Sequence, residues 1–195
     1  MSQFFSQRSF EPKRKFRFTV HFSGMGAGGG DLVYMAKSAT KPSYTIEGTS
    51  HKFLNHEFKF PNIVSWQDVN VSFIDAVDPN VGSRFYDALL NTGYMLPSTL
   101  DKFKGGVTKL HAAQSIGQVT IRQLDGGDVT GLASDGVGAV QLNPNVVDEW
   151  VLINAWITSL KFGEGLDYTS TDLVTVDLTL KYDFAQYSRG NQPIG

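Results

Sequence analysis

The chain has no cysteine, and none of its apolar runs reaches the ~18 residues that a membrane-spanning helix needs. The missing cysteine excludes disulfides and thiolate metal ligands. The formal net charge is only −2, so the charge of the whole chain does not indicate a nucleic-acid-binding protein. The sequence also lacks a Walker loop and a G-x-S-x-G motif, and its acidic residues are scattered. No catalytic residue, cofactor or metal ligand is therefore predicted.

Phenylalanine, tyrosine and glycine are abundant, with 14 Phe, 7 Tyr and 20 Gly among 195 residues. Together with many valines and threonines, this composition favours a β-rich protein with glycine-containing turns. The length is sufficient for one domain with a substantial core.

The strongest pattern lies in the C-terminal third of the chain. From Val174 to Phe184, apolar residues occupy every second position and mostly polar residues fill the positions between them. This period is typical of a strand with one buried face. The run from Val151 to Phe162 is apolar on both faces, so we expect another part of the chain, or another subunit, to cover its second face. The loop 163–172 would join the two runs into a long hairpin.

Three further runs alternate in the same way and predict strands at 13–22, 67–75 and 116–124. One helix is predicted over 79–92, with Asp78 as its N-cap, Pro79 as its first residue and Gly93 just beyond its end. Its apolar stripe consists of Val81, Phe85, Ala88 and Leu89.

The remaining segments show no clear period. The glycines of 24–30 match G-x-G-x-x-G, but no helical pattern follows them, so we interpret them as a hairpin loop and not as a dinucleotide site. We expect an N-terminal arm over 1–13, a single domain over 14–187 with loop insertions near 95–118 and 125–148, and a C-terminal tail over 188–195.

The segment 45–61 combines an irregular pattern with much apolar surface. Long loops are usually hydrophilic, so we expect this one to pack on a partner surface. The candidate inter-subunit contacts are Phe53, Leu54, Phe58 and Phe60.

The order of these elements resembles the tail tube proteins of contractile-tailed bacteriophages, in the superfamily that also holds the type VI secretion tube. The likeness covers most of residues 14–187. The matching pieces are FRFTVHF, LVYMAKSATKPSYTIE, FLNHEFKFP running into VSWQDVNVSFID, SRFYDALL, QVTIRQLDG, WVLINAWITSLKFGEGLDY and LVTVDLTLKYDFAQY.

The resemblance implies a mainly β fold, an antiparallel β-sandwich or partial β-barrel with one flanking α-helix. It implies homo-hexameric rings that stack into a hollow tube, in which long strands form a multi-subunit barrel. The tube would belong to a phage tail in the virion, assembled in the host cytoplasm, and would conduct DNA into the host. Its partners would be the tail sheath, baseplate and tail-terminator proteins, with the tape measure protein and DNA transiently in the lumen and no stable membrane association.

In such a tube the polar strand faces would line the lumen, and the apolar face of 174–184 would pack under the helix through Phe85 and Leu89. The expected lumen-facing residues are Asp68, Asn70, Ser72, Thr175, Asp177, Thr179, Lys181 and Asp183.

Two alternatives stay open from the sequence. The chain could be the tube subunit of a type VI-like secretion system or a phage-tail-like injection system. It could also be a small ligand-binding β-barrel or an enzyme, which a stable monomer with a deep apolar pocket would favour. Whether the chain is the main tube protein, an initiator or a terminator also stays open.

Overall fold

The computed structural model describes residues 12–28, 35–97, 106–126, 128–130, 141–143, 145–190 and 192–193. The described part contains thirteen β-strands, two α-helices and one short 3-10 helix, and its strand pairs are all antiparallel. The expectation of a mainly β, antiparallel fold is confirmed, but a second helix accompanies the one expected.

The strands are β1 (Phe18–Phe22), β2 (Ala36–Ala39), β3 (Tyr44–Phe53), β4 (His56–Trp66), β5 (Val69–Ile74), β6 (Val119–Leu124), β7 (Asp128–Thr130), β8 (Gln141–Asn143), β9 (Val146–Ile153), β10 (Trp156–Lys161), β11 (Thr175–Lys181), β12 (Phe184–Arg189) and β13 (Gln192–Pro193). The helices are α1 (Val81–Asn91) and α2 (Lys109–Ile116), and the 3-10 helix is Ser23–Gly28.

Two larger sheets enclose the core. One has the strand order β1-β6-β9-β12-β13 and the other β10-β11-β5-β2. Phe22 of the first sheet and Phe73 of the second meet with ring centroids 5.9 Å apart, and Phe85 of α1 contacts these rings at 5.8 and 5.4 Å. The apolar faces of both sheets therefore share one core with α1, as in a β-sandwich.

Strand β11 has the one buried face that its alternation predicted. Val176, Leu178 and Leu180 are buried, while the residues between them are half-exposed. Val174 and Phe184 are exposed, so the buried face is shorter than the alternating run, because both residues lie outside β11.

The predicted long hairpin exists, but it bends at a corner. Ile153 pairs with Phe184 on one side of the corner and Trp156 with Lys181 on the other, in one common register. Between these pairs Asn154 adopts a φ of 54°, and the hairpin passes from one sheet to the other. Each long run is therefore two strands, β9 and β10 or β11 and β12.

This corner explains why residues 151–162 are apolar on both faces. Leu152 faces the core before the corner, whereas Ala155 and Ile157, at positions of opposite parity, face it afterwards. Both faces of the run thus contribute to the same core at different points. Val151, Ile153 and Trp156 are half-buried and lie outside this core, so the expectation that another surface covers them stays a prediction.

Asp183 ties the corner to α2. Its carboxylate accepts hydrogen bonds from Lys109 at 2.8 Å and from the side chain of Asn154 at 2.8 Å, and its backbone N–H donates to Ile153 at 3.0 Å. The bonds from Lys109 and Asn154 hold the pKa of Asp183 below its usual value.

Helix α1 differs from its prediction at its start. Asn80, not Asp78, is the N-cap, and its side chain accepts from the N–H of Ser83 at 2.6 Å. The end is confirmed, because Gly93 has a φ of 96° directly after the C-cap. Val81, Phe85 and Ala88 are buried as expected, whereas Leu89 is 37% exposed, so the prediction that it packs under the sheet is wrong.

Helix α2 lies within 95–118, where irregular structure was expected. Thr108 caps its first turn by accepting from the N–H of His111 at 3.2 Å, and Gly117, at a φ of 65°, ends it. Ala112, Ser115 and Ile116 are its buried residues. So short a stripe gives too little helical period to detect in the sequence.

The glycine segment 24–30 was interpreted as a hairpin loop, but Gly24 belongs to the 3-10 helix Ser23–Gly28, and residues 29–30 lie outside the described residues. A Cβ on Gly24 would lie 2.3 Å from the backbone nitrogen of Gly117, so only glycine permits this close approach. The insertion 125–148 contains the small hairpin β7–β8 and the start of β9. Beyond residue 187, β12 continues to Arg189 and β13 follows, so the sheet extends into the expected tail. Most of the expected arm 1–13 lies outside the described residues.

A buried carboxylate holds residues 13–17 against one end of the sandwich. Asp148 is 4% exposed and accepts a hydrogen bond from the hydroxyl of Tyr187 at 2.7 Å and another from Lys13. The side chain of Gln123, which is also buried, donates to the backbone carbonyls of Arg14 at 2.6 Å and Arg17 at 3.0 Å. Burial alone would raise the pKa of Asp148, but the bonds from Lys13 and Tyr187 outweigh it and lower that pKa.

Asp148→Asn is expected to lower the free energy of unfolding at neutral pH by about 2 kcal/mol, because it removes the charge that these bonds stabilise. The folded pKa lies below the unfolded value near 3.8, so this stabilisation is fully present above 3.8 and is lost as the pH falls through the folded pKa. Urea denaturation of both proteins from about pH 7 to about pH 2 should show their difference shrinking in acid. A difference that stays constant would contradict this role.

Candidate assembly surfaces

Residues 44–66 form a two-stranded hairpin, the β-arm, which pairs with no other strand of the described chain. All its residues are exposed except Trp66, which is half-buried. The sequence interpretation of 45–61 as an irregular segment is therefore wrong, although its exposure agrees with the expectation. The arm turns at Leu54 and Asn55, and Leu54 has a φ of 53°, which is uncommon for a bulky residue.

The structure brings the four expected contact residues together at the outer half of the arm, residues 48–61. Phe58 pairs with His51, Phe60 with Thr49 and Phe53 with His56, which places the three phenylalanines on one face of the hairpin. Leu54 lies at the tip and is 88% exposed.

A second group of apolar side chains lies at the base of the arm, and the sequence analysis did not identify it. Tyr44 pairs with Trp66 and Ile46 with Val64, and a bulge after Ile46 separates these pairs from the outer half. The ring of Trp66 is 6.0 Å from that of Tyr182, which connects the arm to the corner. The alternation of Tyr44 and Ile46 was the signal that could have revealed this group.

An isolated two-stranded hairpin is marginally stable in water, and exposed apolar surface of this extent marks an interaction site. None of the residues of the β-arm is part of the hydrophobic core. The arm is thus an exposed apolar surface that the described part of the chain leaves uncovered.

The polar face of the four-stranded sheet contains most of the residues expected in a lumen. Ser72 donates a hydrogen bond to Asp177, and the hydroxyl of Thr179 donates to the side chain of Asn70 at 2.9 Å. Thr175 lies on this face as well. These two bonds use part of the hydrogen-bonding capacity of the polar side chains on this face.

Of the other three expected residues, Lys181 shares the face of Asp177 through its position in β11, whereas Asp68 and Asp183 lie outside the strands. Asp68 precedes β5 and is exposed, and Lys181 is exposed at the end of β11. Asp183 lies at the corner with Lys109, beyond the end of β11, so the structure does not bring it to the face of that strand. The sequence analysis did not include Lys161 of β10 among the residues of this polar face, although it lies opposite Asp177 in the sheet.

The β10–β11 loop, residues 162–174, is a further apolar surface that the sequence suggested only as a turn. Leu166 is 91% exposed, and Tyr168 and Leu173 are also exposed. The loop surrounds an open groove of about 390 Å³. The ring of Phe162 lies 6.4 Å from that of Tyr86 on α1, so the loop adjoins that helix.

None of the described helices is both long and apolar enough to cross a membrane.

The fold as a whole defines the class: it is similar to that of chains in the tube and tube-terminator assemblies of contractile injection systems. A chain of the PVC sheath–tube complex of an extracellular contractile injection system matches with a TM-score of 0.57 and 17% identity, over 93% of this chain and 94% of that chain. A chain of the anti-feeding prophage tube-terminating cap matches with a TM-score of 0.56 and 16% identity, over 92% and 93%.

A chain of the PVC sheath/tube terminator matches with a TM-score of 0.53 and 14% identity, over 92% of this chain and 99% of that chain. No protein-family model and no curated protein sequence matches. The resemblance inferred from the order of elements is thus confirmed for the fold.

Proposed function

We propose that this chain is a structural subunit of the tube, or of the end of the tube, of a contractile injection system. The observation that supports this most is the β-arm, an exposed apolar hairpin with no partner among the described residues. Subunits would join through unlike surfaces, because a heterologous contact that closes by rotation gives a ring, and stacked rings give a tube. The role is structural and includes no catalytic step.

Ring closure would use the edges of the four-stranded sheet. Its outer strands, β10 and β2, are each paired on one side only in the described chain. Joining β10 of one subunit to β2 of the next would extend the sheet into a barrel shared by the ring, six subunits in the form that the resemblance implies. Closure would also remove the free strand edges that otherwise favour aggregation.

The polar face of this sheet would then line the lumen, with Asn70, Ser72, Thr175, Asp177 and Thr179 as its central residues. Hydroxyl and amide groups that bond to one another offer little to a passing cargo. Lys161 lies opposite Asp177 in the sheet and adds a positive charge to the same face. A lining rich in unpaired Lys and Arg would instead retain a polyanion through its phosphates.

Two cargoes are compatible with such a lining. The sequence resemblance implies DNA, in a phage tail of a virion that is assembled in the host cytoplasm. The solved structures of similar fold belong to injection systems, and this favours a tube that delivers other cargo. In both cases the partners would be a sheath, a baseplate and a terminator, with a tape measure protein during assembly.

Cysteine scanning of assembled tubes tests the lumen assignment, because the chain has no native cysteine. In intact tubes, Asp177→Cys should react with thiol reagents small enough to enter the bore. Leu178→Cys should stay protected until unfolding, because Leu178 is 1% exposed and faces the core. Rapid labelling at position 178 with protection at position 177 would show that the two faces are reversed.

Sedimentation velocity over a concentration series tests the assembly itself. We expect species larger than the 21.4 kDa chain that grow with concentration, alone or after seeding with a baseplate component. A single monomeric species at every concentration, with and without seeding, would overturn the proposed function.

A further inference from the structure

The β-arm and the β10–β11 loop lie at opposite ends of the four-stranded sheet. β5 starts just after the arm, and its first residue, Val69, pairs with Leu180 near the end of β11. At its other end Ile74 pairs with Thr175, the first residue of β11 after the loop. The length of β11, about 20 Å at ~3.3 Å per residue, therefore separates the two apolar surfaces.

This placement has a direct consequence for packing between copies. If one copy is displaced along the strands relative to another, the arm of one approaches the loop of the other. β3 alone spans about 30 Å at ~3.3 Å per residue, so the arm is long enough to reach across a subunit boundary. Contacts between unlike ends repeat without limit, as the stacking of rings requires.

The two surfaces are complementary in chemistry. The tip offers Phe53 and Leu54, both largely exposed, and the loop offers Leu166, Tyr168 and Leu173, also exposed, around its groove. Burying such side chains is worth about 25 cal/mol for each Å² of apolar surface.

The charges of the two surfaces are also opposite. Lys52 and Lys59 outnumber Glu57 in the outer half of the arm. The loop contains three acidic residues, Glu164, Asp167 and Asp172, and no lysine or arginine. Hydrogen bonds from the backbone N–H and the hydroxyl of Thr169, both at 2.9 Å, order Asp167 in its turn.

We propose that the tip of the β-arm docks on the β10–β11 loop of a second copy of this chain, in the adjacent ring of the tube. This inference rests on the proposed function and adds the surface that receives the arm. The exposed apolar residue Leu110 on α2 is a poor alternative, because Lys109 beside it binds Asp183 at the corner, the same end of the sheet as the arm. Displacement along the strands moves the arm away from that surface.

Cross-linking between two single-cysteine variants tests the contact. Leu54→Cys chains and Leu166→Cys chains are mixed, assembled and treated with a short bis-maleimide. We expect a two-chain product from the mixture and none from either variant alone. A chain with both substitutions should give a ladder of products, because each copy links to the next. Asn55→Cys, in the same turn, is the second variant if Leu54→Cys weakens assembly.

The matched control pairs Leu54→Cys with Leu110→Cys and should give no product. Tubes visible by electron microscopy, with no link between 54 or 55 and 166, would overturn this inference and leave the proposed function standing. A link to position 110, or a product from Leu54→Cys alone, would overturn it equally. If neither rings nor tubes form under any condition, the inference falls together with the proposed function.

Discussion

Replacing Phe85 with alanine is expected to lower the free energy of unfolding by about 3–5 kcal/mol. Phe85 is fully buried, and its ring contacts those of Phe22 and Phe73, one from each sheet. The substitution therefore removes a side chain through which α1 contacts both sheets, and it leaves a cavity that the close-packed surroundings fill only in part. Since domains are stable by about 5–15 kcal/mol, the loss would be a large fraction of the total.

Leu89→Ala is the matched control for this measurement. Leu89 lies one turn further along the same helix, but it is 37% exposed and belongs to no core contact. Urea denaturation at one fixed protein concentration should show a change of about 1 kcal/mol or less for this variant, since a half-exposed side chain loses little burial. Equal losses for Phe85→Ala and Leu89→Ala would contradict the described orientation of α1.

Replacing Phe53 and Leu54 together with serine is expected to abolish tube formation and leave the monomer folded. Neither side chain contributes to the core, so circular dichroism and the thermal midpoint should stay near those of the parent chain. If both side chains are buried in the assembly, their burial contributes about 3 kcal/mol or more to the free energy of association between two subunits. Losing it would lower each association constant about a hundredfold. Because every subunit makes this contact, we expect a decrease of this size in each association constant to prevent assembly at ordinary concentrations.

The control replaces Lys52 and Lys59 with serine in the same hairpin. Both lysines are exposed and lie on the face opposite the phenylalanines. Their removal should weaken assembly much less than the loss of the apolar pair. Unfolding of the Phe53→Ser, Leu54→Ser chain in the circular dichroism spectrum would show that these residues stabilise the monomer, and the arm would then not be an assembly element.

The sequence predicted the parts of this fold in which local pattern and packing agree. Val176, Leu178 and Leu180 alternate with polar residues and face one core, so their period could be detected in one dimension. The buried side of α1 was visible for the same reason. The start of α1 could not be predicted from the sequence, because both Asp78 and Asn80 have side chains suited to an N-cap. Only the backbone conformation selects Asn80.

The corner could not be predicted, because its cause is conformational. Apolar residues occur on both sides of Asn154, while the left-handed backbone at Asn154 changes the face that meets the core. Asparagine tolerates that conformation, but it also occurs in many ordinary turns. The bond from Lys109 to Asp183 joins residues far apart in the sequence, so no local signal indicates it.

The β-arm shows the opposite situation, in which the surface was recognised and its structure was not. The four apolar residues at 53–60 indicated a contact surface, and the structure places them together and exposed. The hairpin was missed because its turn, Leu54-Asn55, lacks the glycine typical of two-residue turns, and because the bulge after Ile46 interrupts the pairing. Both faces of the outer half also include polar residues, which hides the period.

Negative-stain electron microscopy of the purified chain, alone and with a baseplate component as a seed, is the most direct test of a self-assembling tube subunit. We predict rings, stacks of rings or hollow tubes for the parent chain, and isolated particles for the chain with Phe53→Ser and Leu54→Ser. Isolated particles from the folded parent chain at every concentration, seeded or not, would contradict the assignment of this protein to a tube.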